Sequence, residues 1–177
     1  GELNSNFIIV FNDNQMSIAE NHGGMYDQFA ELRRTNGTAE NNLFKSMGLD
    51  YLYVNNGNDI EALITAFDQV KDTNHPVVVH INTLKGKGYA LAEANKEKWH
   101  WHMPFDIQTG QSPASNSSES YPGIFAEYAL KRAKTDPKFL VLMSAIPGLL
   151  GLSQERREEL GKHYLDVGIA EETAVAM

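Results

Sequence analysis

Asn12-Asp13-Asn14-Gln15-Met16-Ser17 follows an apolar run at residues 7–11 and places several oxygen donors just past a strand-like stretch. The side-chain oxygen of Asn14 and the main-chain carbonyl of Met16 can turn onto one hard cation that also carries phosphate oxygens, the usual way Mg²⁺ is held. The same hexapeptide suits an Asn/Asp-rich strand-to-helix turn with nothing bound. Lys85-Gly86-Lys87-Gly88 joins two cations to two flexible backbone positions. Glycine lets a chain approach a phosphate closely and lysine neutralises it, although the spacing is not that of a Walker A loop and a solvated basic turn is the plainer reading. In Trp99-His100-Trp101-His102 the histidines are suited to proton transfer near neutral pH, and flanking tryptophans would desolvate and orient His100. A structural histidine fits that stretch equally well, and zinc lacks supporting ligands at a suitable spacing. Glu171-Glu172 reads as a pair of acids favouring a helix N-terminus.

Parallel strands separated by helices are what these stretches need around them. Residues 7–11 read as a buried central strand, 51–54 as a second and 76–81 as a third, the last rich in β-branched residues and so expected to be covered on both faces. Between them, Met25, Phe29 and Leu32 make one helical stripe ended by Thr35-Asn36-Gly37, and Thr38 is placed to cap a second helix carrying Leu43, Phe44 and Met47. Asn58 with Glu61 resembles a capping box for a third helix, with Ile60, Leu63, Ile64, Phe67 and Val70 on its apolar face. This strand, helix, strand order predicts that the Asn14 turn and the Lys85 turn open on the same sheet edge, where ligands of open α/β sheets bind.

Residues 107–120 are small and polar without periodicity, as in a linker. The pattern then restarts: a helix with Ile124, Phe125, Tyr128, Ala129 and Arg132, a strand at 139–143, an exit loop at 146–151, a charged helix at 153–160, a strand at 164–167, and an apolar helix from Gly168 onward. Both ends read as elements cut short. The 177 residues are 42% hydrophobic and 21% charged, ordinary for a globular chain. A net charge of −8 with no long Lys/Arg cluster argues against nucleic acid as a partner. No apolar run approaches membrane-spanning length, and the absence of cysteine excludes a disulfide scaffold and fits a reducing, cytoplasmic compartment.

Four motifs, in order, carry a family resemblance: Asn-Asp-Asn-Gln-Met-Ser-Ile at 12–18; Lys-Gly-Lys-Gly-Tyr-Ala at 85–90 followed by Ala-Glu-Ala; Trp99-His100 with Phe105-Asp106 and Thr109-Gly110; and Asp-Val-Gly-Ile-Ala-Glu at 166–171. Together they resemble the 1-deoxy-D-xylulose-5-phosphate synthases, thiamine-diphosphate enzymes of the transketolase superfamily, over nearly the whole chain. The resemblance implies an α/β fold of parallel sheets flanked by helices. Residues 1–110 would be the C-terminal half of a diphosphate-binding domain, 111–120 a linker and 121–177 the start of a pyrimidine-binding domain. It implies thiamine diphosphate and Mg²⁺ as cofactors, with Asn14 and Met16 as metal ligands and Ser17 and Lys85 beside the cofactor. A further metal ligand, the Asp of a Gly-Asp-Gly motif, does not occur here. Glu171 would hydrogen-bond the aminopyrimidine ring, and His100 would face the reacting carbons. The implied reaction decarboxylates pyruvate and joins the two-carbon unit to glyceraldehyde 3-phosphate in a homodimeric enzyme, with the 177 residues alone inactive.

Three departures bear on the substrate. Gly57-Asn58-Asp59 stands where the family usually has Gly-His-Asp, residues 146–151 replace an Arg-Glu-Gly-Ser-Gly-like loop, and the segment between Asn21 and Leu43 is short. A transketolase-type ketol transferase, a cofactor-free interaction module on the same fold and a two-chain enzyme are the competing expectations.

Overall fold

Val77-Val78-Val79-His80-Ile81 are all buried, and this strand is the middle of a three-stranded parallel sheet in a computed structural model that describes residues 5–21, 23–113 and 120–177. The described residues form two units, 5–16 with 23–99, and 17–21 with 100–113 and 120–177. The linker expected at 111–120 falls largely on residues outside the described set.

In the first unit, β1 (Ile8–Asp13), β2 (Asp50–Val54) and β3 (Val77–Asn82) lie in the order β1-β3-β2, with Ile8 opposite Val77 and Asp13 opposite Asn82. Side chains alternate across a strand. Val77, Val79 and Ile81 therefore pack with Ala66 and Val70 of α3 (Ile60–Val70), while Val78 packs on the other face with Phe29 and Leu32 of α1 (Gly24–Arg34) and Phe44 of α2 (Leu43–Ser46). A five-residue helix, α4 (Ala90–Ala94), follows the Lys85 turn.

The central position belongs to β3, not β1. Among the described residues β1 pairs only with β3, and its Val10 is 50% exposed. Phe11 and Ile9 reach the aromatic side of the core, whereas Val10 belongs to neither core cluster of the described residues in this unit. Two helix starts also differ from expectation. Asn42, not Thr38, caps α2, its Oδ1 accepting the Phe44 and Lys45 N–H groups, while the Thr38 hydroxyl donates to the Thr35 carbonyl. Asp59, not Asn58, caps α3 by accepting the Glu61 and Ala62 N–H groups. The stripe of α3 that faces the sheet is Ala62, Leu63, Ala66, Phe67 and Val70, and Ile60 and Ile64 are exposed.

The second unit has two parallel strands, β4 (Val141–Met143) and β5 (Tyr164–Asp166), with α5 (Tyr121–Thr135), α6 (Gln154–Leu160) and α7 (Glu171–Ala176). Its core joins Ala126 and Ala129 to Val141, Met143, Leu152 and Leu160. Ala126 and Ala129 of α5 face inward, and Ile124 and Tyr128 are exposed. Residues 146–151 are not an open loop: Pro147–Leu150 is a turn of 3₁₀ helix closed by Gly151 in the left-handed region at φ 68. A Cβ on Gly151 would sit 2.6 Å from the Pro122 carbonyl oxygen, so only glycine lets this turn lie so close to the start of α5.

Candidate functional site

Parallel pairing puts the carboxyl ends of all three strands of the first unit on one edge, and the exit turns of β1 and β3 are stitched together there. The Thr83 N–H donates to the Asp13 carbonyl at 3.0 Å and the Thr83 hydroxyl to Asn12 Oδ1 at 2.6 Å. The exit turn of β2 joins them. Gly57 N–H donates to the Asn82 carbonyl at 2.9 Å, and Asn58 Oδ1 accepts the Leu84 N–H at 2.7 Å. A Cβ on Gly57 would lie 2.6 Å from the Asn82 oxygen, so only glycine permits this approach. The Asn14 and Lys85 turns thus share an edge, as the strand order predicts, and Asn58, at the head of α3, supports the residue preceding Lys85.

At the end of β1 two short side-chain turns interlock. Asp13 Oδ1 accepts the Gln15 N–H at 3.0 Å and Asn14 Oδ1 accepts the Met16 N–H at 3.0 Å. Gln15 takes φ 65 between them, a left-handed conformation uncommon for a residue with a side chain. An amide oxygen has two lone pairs. Asn14 therefore keeps one acceptor direction for a cation after binding its own turn. Asn82, opposite Asp13, ends β3 with its amide oxygen buried and without a hydrogen-bond partner in the structure. Among the described residues no group of three or more His, Asp and Glu is placed to hold a metal ion. The donors at this edge are amide and main-chain oxygens, a set that suits a hard cation sharing its shell with phosphate.

Lys85 is half-buried in the turn after β3. Burial pushes its ammonium below the ordinary lysine value, with Glu97 opposing and Lys96 adding to the effect. Gly86 takes φ 83, and a Cβ there would come within 2.8 Å of Ala92, so the turn folds directly onto α4. Gly88 N–H donates to Glu93 Oε1 at 2.8 Å. Trp99 packs edge-on against Tyr89, with ring centroids 5.0 Å apart.

The remaining candidates belong to the second unit. Ser17 N–H donates to the Ala19 carbonyl at 3.0 Å. His100 is exposed and Trp101 is 71% exposed, so Trp101 does not strip water from the imidazole as the sequence suggests. The neighbouring His102 has local partners: its Nδ1–H donates to the Met103 carbonyl at 2.9 Å, and its ring packs edge-on against Phe105. Asp106 accepts the Thr109 N–H and hydroxyl and the Gln108 N–H, and these bonds hold its carboxyl below the ordinary aspartate value. Glu171 is exposed at the first turn of α7. The turn leading to it is organised by Asp166, whose Oδ1 accepts the N–H groups of Ala145 and Gly168 at 2.9 and 2.8 Å, with Ala145 left-handed at φ 63.

One cluster was not anticipated. Asp13 is 6% exposed, and its Oδ2 contacts both Arg33 of α1 and His80 Nε2, the latter at 2.9 Å. Burial raises the Asp13 carboxyl, but hydrogen bonds from His80, Arg33 and the Gln15 N–H, with the Arg33 charge, hold it below its ordinary value. His80 Nδ1 lies 2.7 Å from the Tyr51 hydroxyl. Burial and the nearby Tyr53 and Asp13 push the Tyr51 phenol upward, so it keeps its proton and donates it to Nδ1. The His80 Nε2–H then donates to Asp13. The sequence does contain a signal, a single histidine inside the otherwise apolar run 77–81, although its partners lie on β1, α1 and β2.

A family model described as 1-deoxy-D-xylulose-5-phosphate synthase matches residues 1–41 and 35–83, the two stretches overlapping in the connection from α1 to α2. A 1-deoxy-D-xylulose-5-phosphate synthase of Clostridium perfringens strain 13 is 34% identical over 212 aligned residues, covering 100% of this chain and 34% of the relative. The protein of that name from Listeria monocytogenes is 33% identical over 187 residues, covering 100% of the chain and 30% of the relative. That from Nitratiruptor is 40% identical over 133 residues, covering 75% and 22% respectively. The chain thus spans about a third or less of the length of these curated relatives. Its parallel sheets, with an oxygen-rich turn at a carboxyl edge, are of the thiamine-diphosphate-binding α/β class. Within that class, the chain belongs to the 1-deoxy-D-xylulose-5-phosphate synthase family.

Proposed function

We propose that these residues serve a thiamine-diphosphate-dependent transferase that decarboxylates pyruvate and joins the two-carbon unit to glyceraldehyde 3-phosphate, giving 1-deoxy-D-xylulose 5-phosphate for isoprenoid biosynthesis. The observation that carries the reading is the Asn14–Met16 turn, at the carboxyl edge of a parallel sheet beside the Lys85 turn. Asn14 Oδ1 and the Met16 carbonyl hold Mg²⁺, and Lys85 neutralises the diphosphate, its half-buried position strengthening the attraction. Ser17 lies beside the cofactor. Glu171 would hydrogen-bond the aminopyrimidine ring, and His100 would face the reacting carbons. When bound, thiamine diphosphate supplies the carbon nucleophile and electron sink. The protein contributes position and charge.

The domain assignment is part of this reading: residues 1–110 belong to the diphosphate-binding domain and 121–177 to the pyrimidine-binding domain of a cytoplasmic homodimer. Among the described residues no helix is long and apolar enough to cross a membrane. The test uses the complete protein with Mg²⁺, thiamine diphosphate, pyruvate and glyceraldehyde 3-phosphate. Release of CO₂ with formation of 1-deoxy-D-xylulose 5-phosphate, lost in Asn14→Ala and Glu171→Ala, is expected. Cleavage of xylulose 5-phosphate without pyruvate decarboxylation would overturn the reading in favour of ketol transfer.

A further inference from the structure

Asp13 uses its two carboxylate oxygens for different tasks. Oδ1 accepts the Gln15 N–H, while Oδ2 is gripped by Arg33 from α1 and by His80 from β3. His80 itself has no room to move. It is fully buried, ringed by Phe11, Phe29, Phe44, Tyr51 and Tyr53 with centroids 4.9–6.2 Å away, and held at its far nitrogen by the Tyr51 hydroxyl. The chain of contacts runs from a rigid aromatic core through one carboxylate to a left-handed Gln15. Gln15 is the residue between the two oxygen donors.

We propose that Arg33 and His80 are positioning residues for the divalent-cation site: by pinning Oδ2 of Asp13 they keep Oδ1 on the Gln15 N–H and preset the Asn14 oxygen and Met16 carbonyl for a small cation. The inference rests on the reading of Asn14 and Met16 as cation ligands. Mg²⁺ demands nearly octahedral geometry with oxygens at about 2.0–2.1 Å, whereas Ca²⁺ accepts about 2.3–2.6 Å in looser arrangements. A turn that loses its anchor is therefore penalised more with Mg²⁺ than with Ca²⁺. General loss of structure would weaken both alike.

The experiment titrates Mg²⁺ and Ca²⁺ into the complete protein by calorimetry in the presence of thiamine diphosphate. Arg33→Met is expected to weaken Mg²⁺ binding by about tenfold or more, the scale on which partners of metal ligands act. Ca²⁺ binding is expected to change much less. Arg33→Lys keeps the charge but not the fork and should recover part of the Mg²⁺ affinity. Should Arg33→Met fail to fold by circular dichroism, Arg33→Lys carries the test through the same shift in Mg²⁺/Ca²⁺ ratio. An unchanged ratio in the folded variants overturns the proposal. Asn14→Ala tests the underlying reading separately: wild-type Mg²⁺ affinity in that variant overturns the cation site itself, whereas lost affinity there with an unchanged Arg33 ratio overturns only the positioning role.

Discussion

His80 Nε2 stands 2.9 Å from Asp13 Oδ2, joining residues 67 positions apart across the two paired strands β1 and β3. The pair is buried, and Arg33 supplies the compensating positive charge. Taking a carboxylate out of water is costly unless its hydrogen bonds are replaced, and here Arg33, His80 and the Gln15 N–H replace them. Breaking such a buried group by removing one partner typically costs about 3–5 kcal/mol. Asp13→Ala should lower the stability of the complete protein by that order, read as a drop in the urea midpoint. A shift no larger than that of an exposed substitution such as Glu20→Ala would contradict it.

Tyr51 gives the network an alkaline signature. Its phenol is raised above the ordinary value of 10.0, chiefly by burial. In the unfolded chain the group ionises near that ordinary value, while in the folded chain it stays protonated. The stabilisation is therefore fully present below about pH 10 and declines as pH climbs toward the folded value. Tyr51→Phe should make the alkaline limb of the stability profile shallower, with Tyr53, also raised, retaining part of it. An alkaline limb identical to that of wild type would refute the assignment.

Asn58 occupies the position where the family usually carries histidine, and its Oδ1 accepts the Leu84 N–H at 2.7 Å. It is exposed, so Asn58→Ala should cost no more than about 1 kcal/mol in stability. The same loss frees the turn that carries Lys85. Thiamine diphosphate affinity of the complete protein should consequently fall about fivefold, the equivalent of that energy. Calorimetry with the cofactor checks this, and unchanged affinity would separate the turn from diphosphate binding.

Gly57 is required for close approach, not for an unusual backbone angle. A methyl group there would meet the Asn82 carbonyl oxygen at 2.6 Å, and that oxygen accepts the Gly57 N–H. Gly57→Ala must push the β2 exit turn away from β3, at a cost of about 1–3 kcal/mol for a forced backbone shift. Thermal unfolding of the variant measures the loss.

Much of the fold is readable from residue order. The runs at 51–54 and 76–81 become β2 and β3 with small boundary shifts, because β-branched and aromatic residues between turn signals leave few other options. The helix caps lie one to four residues beyond the expected ones: Asn58 and Asp59 are equally good caps, and Asn42 is a better cap than Thr38. Ile60 and Ile64, read on the apolar face of α3, are exposed, because a helix buries the stripe its neighbours leave room for, and Ala66 is among the residues that fill it.

The candidate site divides along the same line. The turns that carry Asn14, Met16 and Lys85 were legible as turns, because residues two or three positions away set their geometry. The sharing of one sheet edge followed from strand, helix, strand order. The partnership of Asp13, Arg33, Tyr51 and His80 was not legible, because four elements must first pack before those side chains meet. Local chemistry is written in neighbouring residues, but a buried polar network is selected by the low dielectric of the assembled core, where only groups that find one another across the fold can remain.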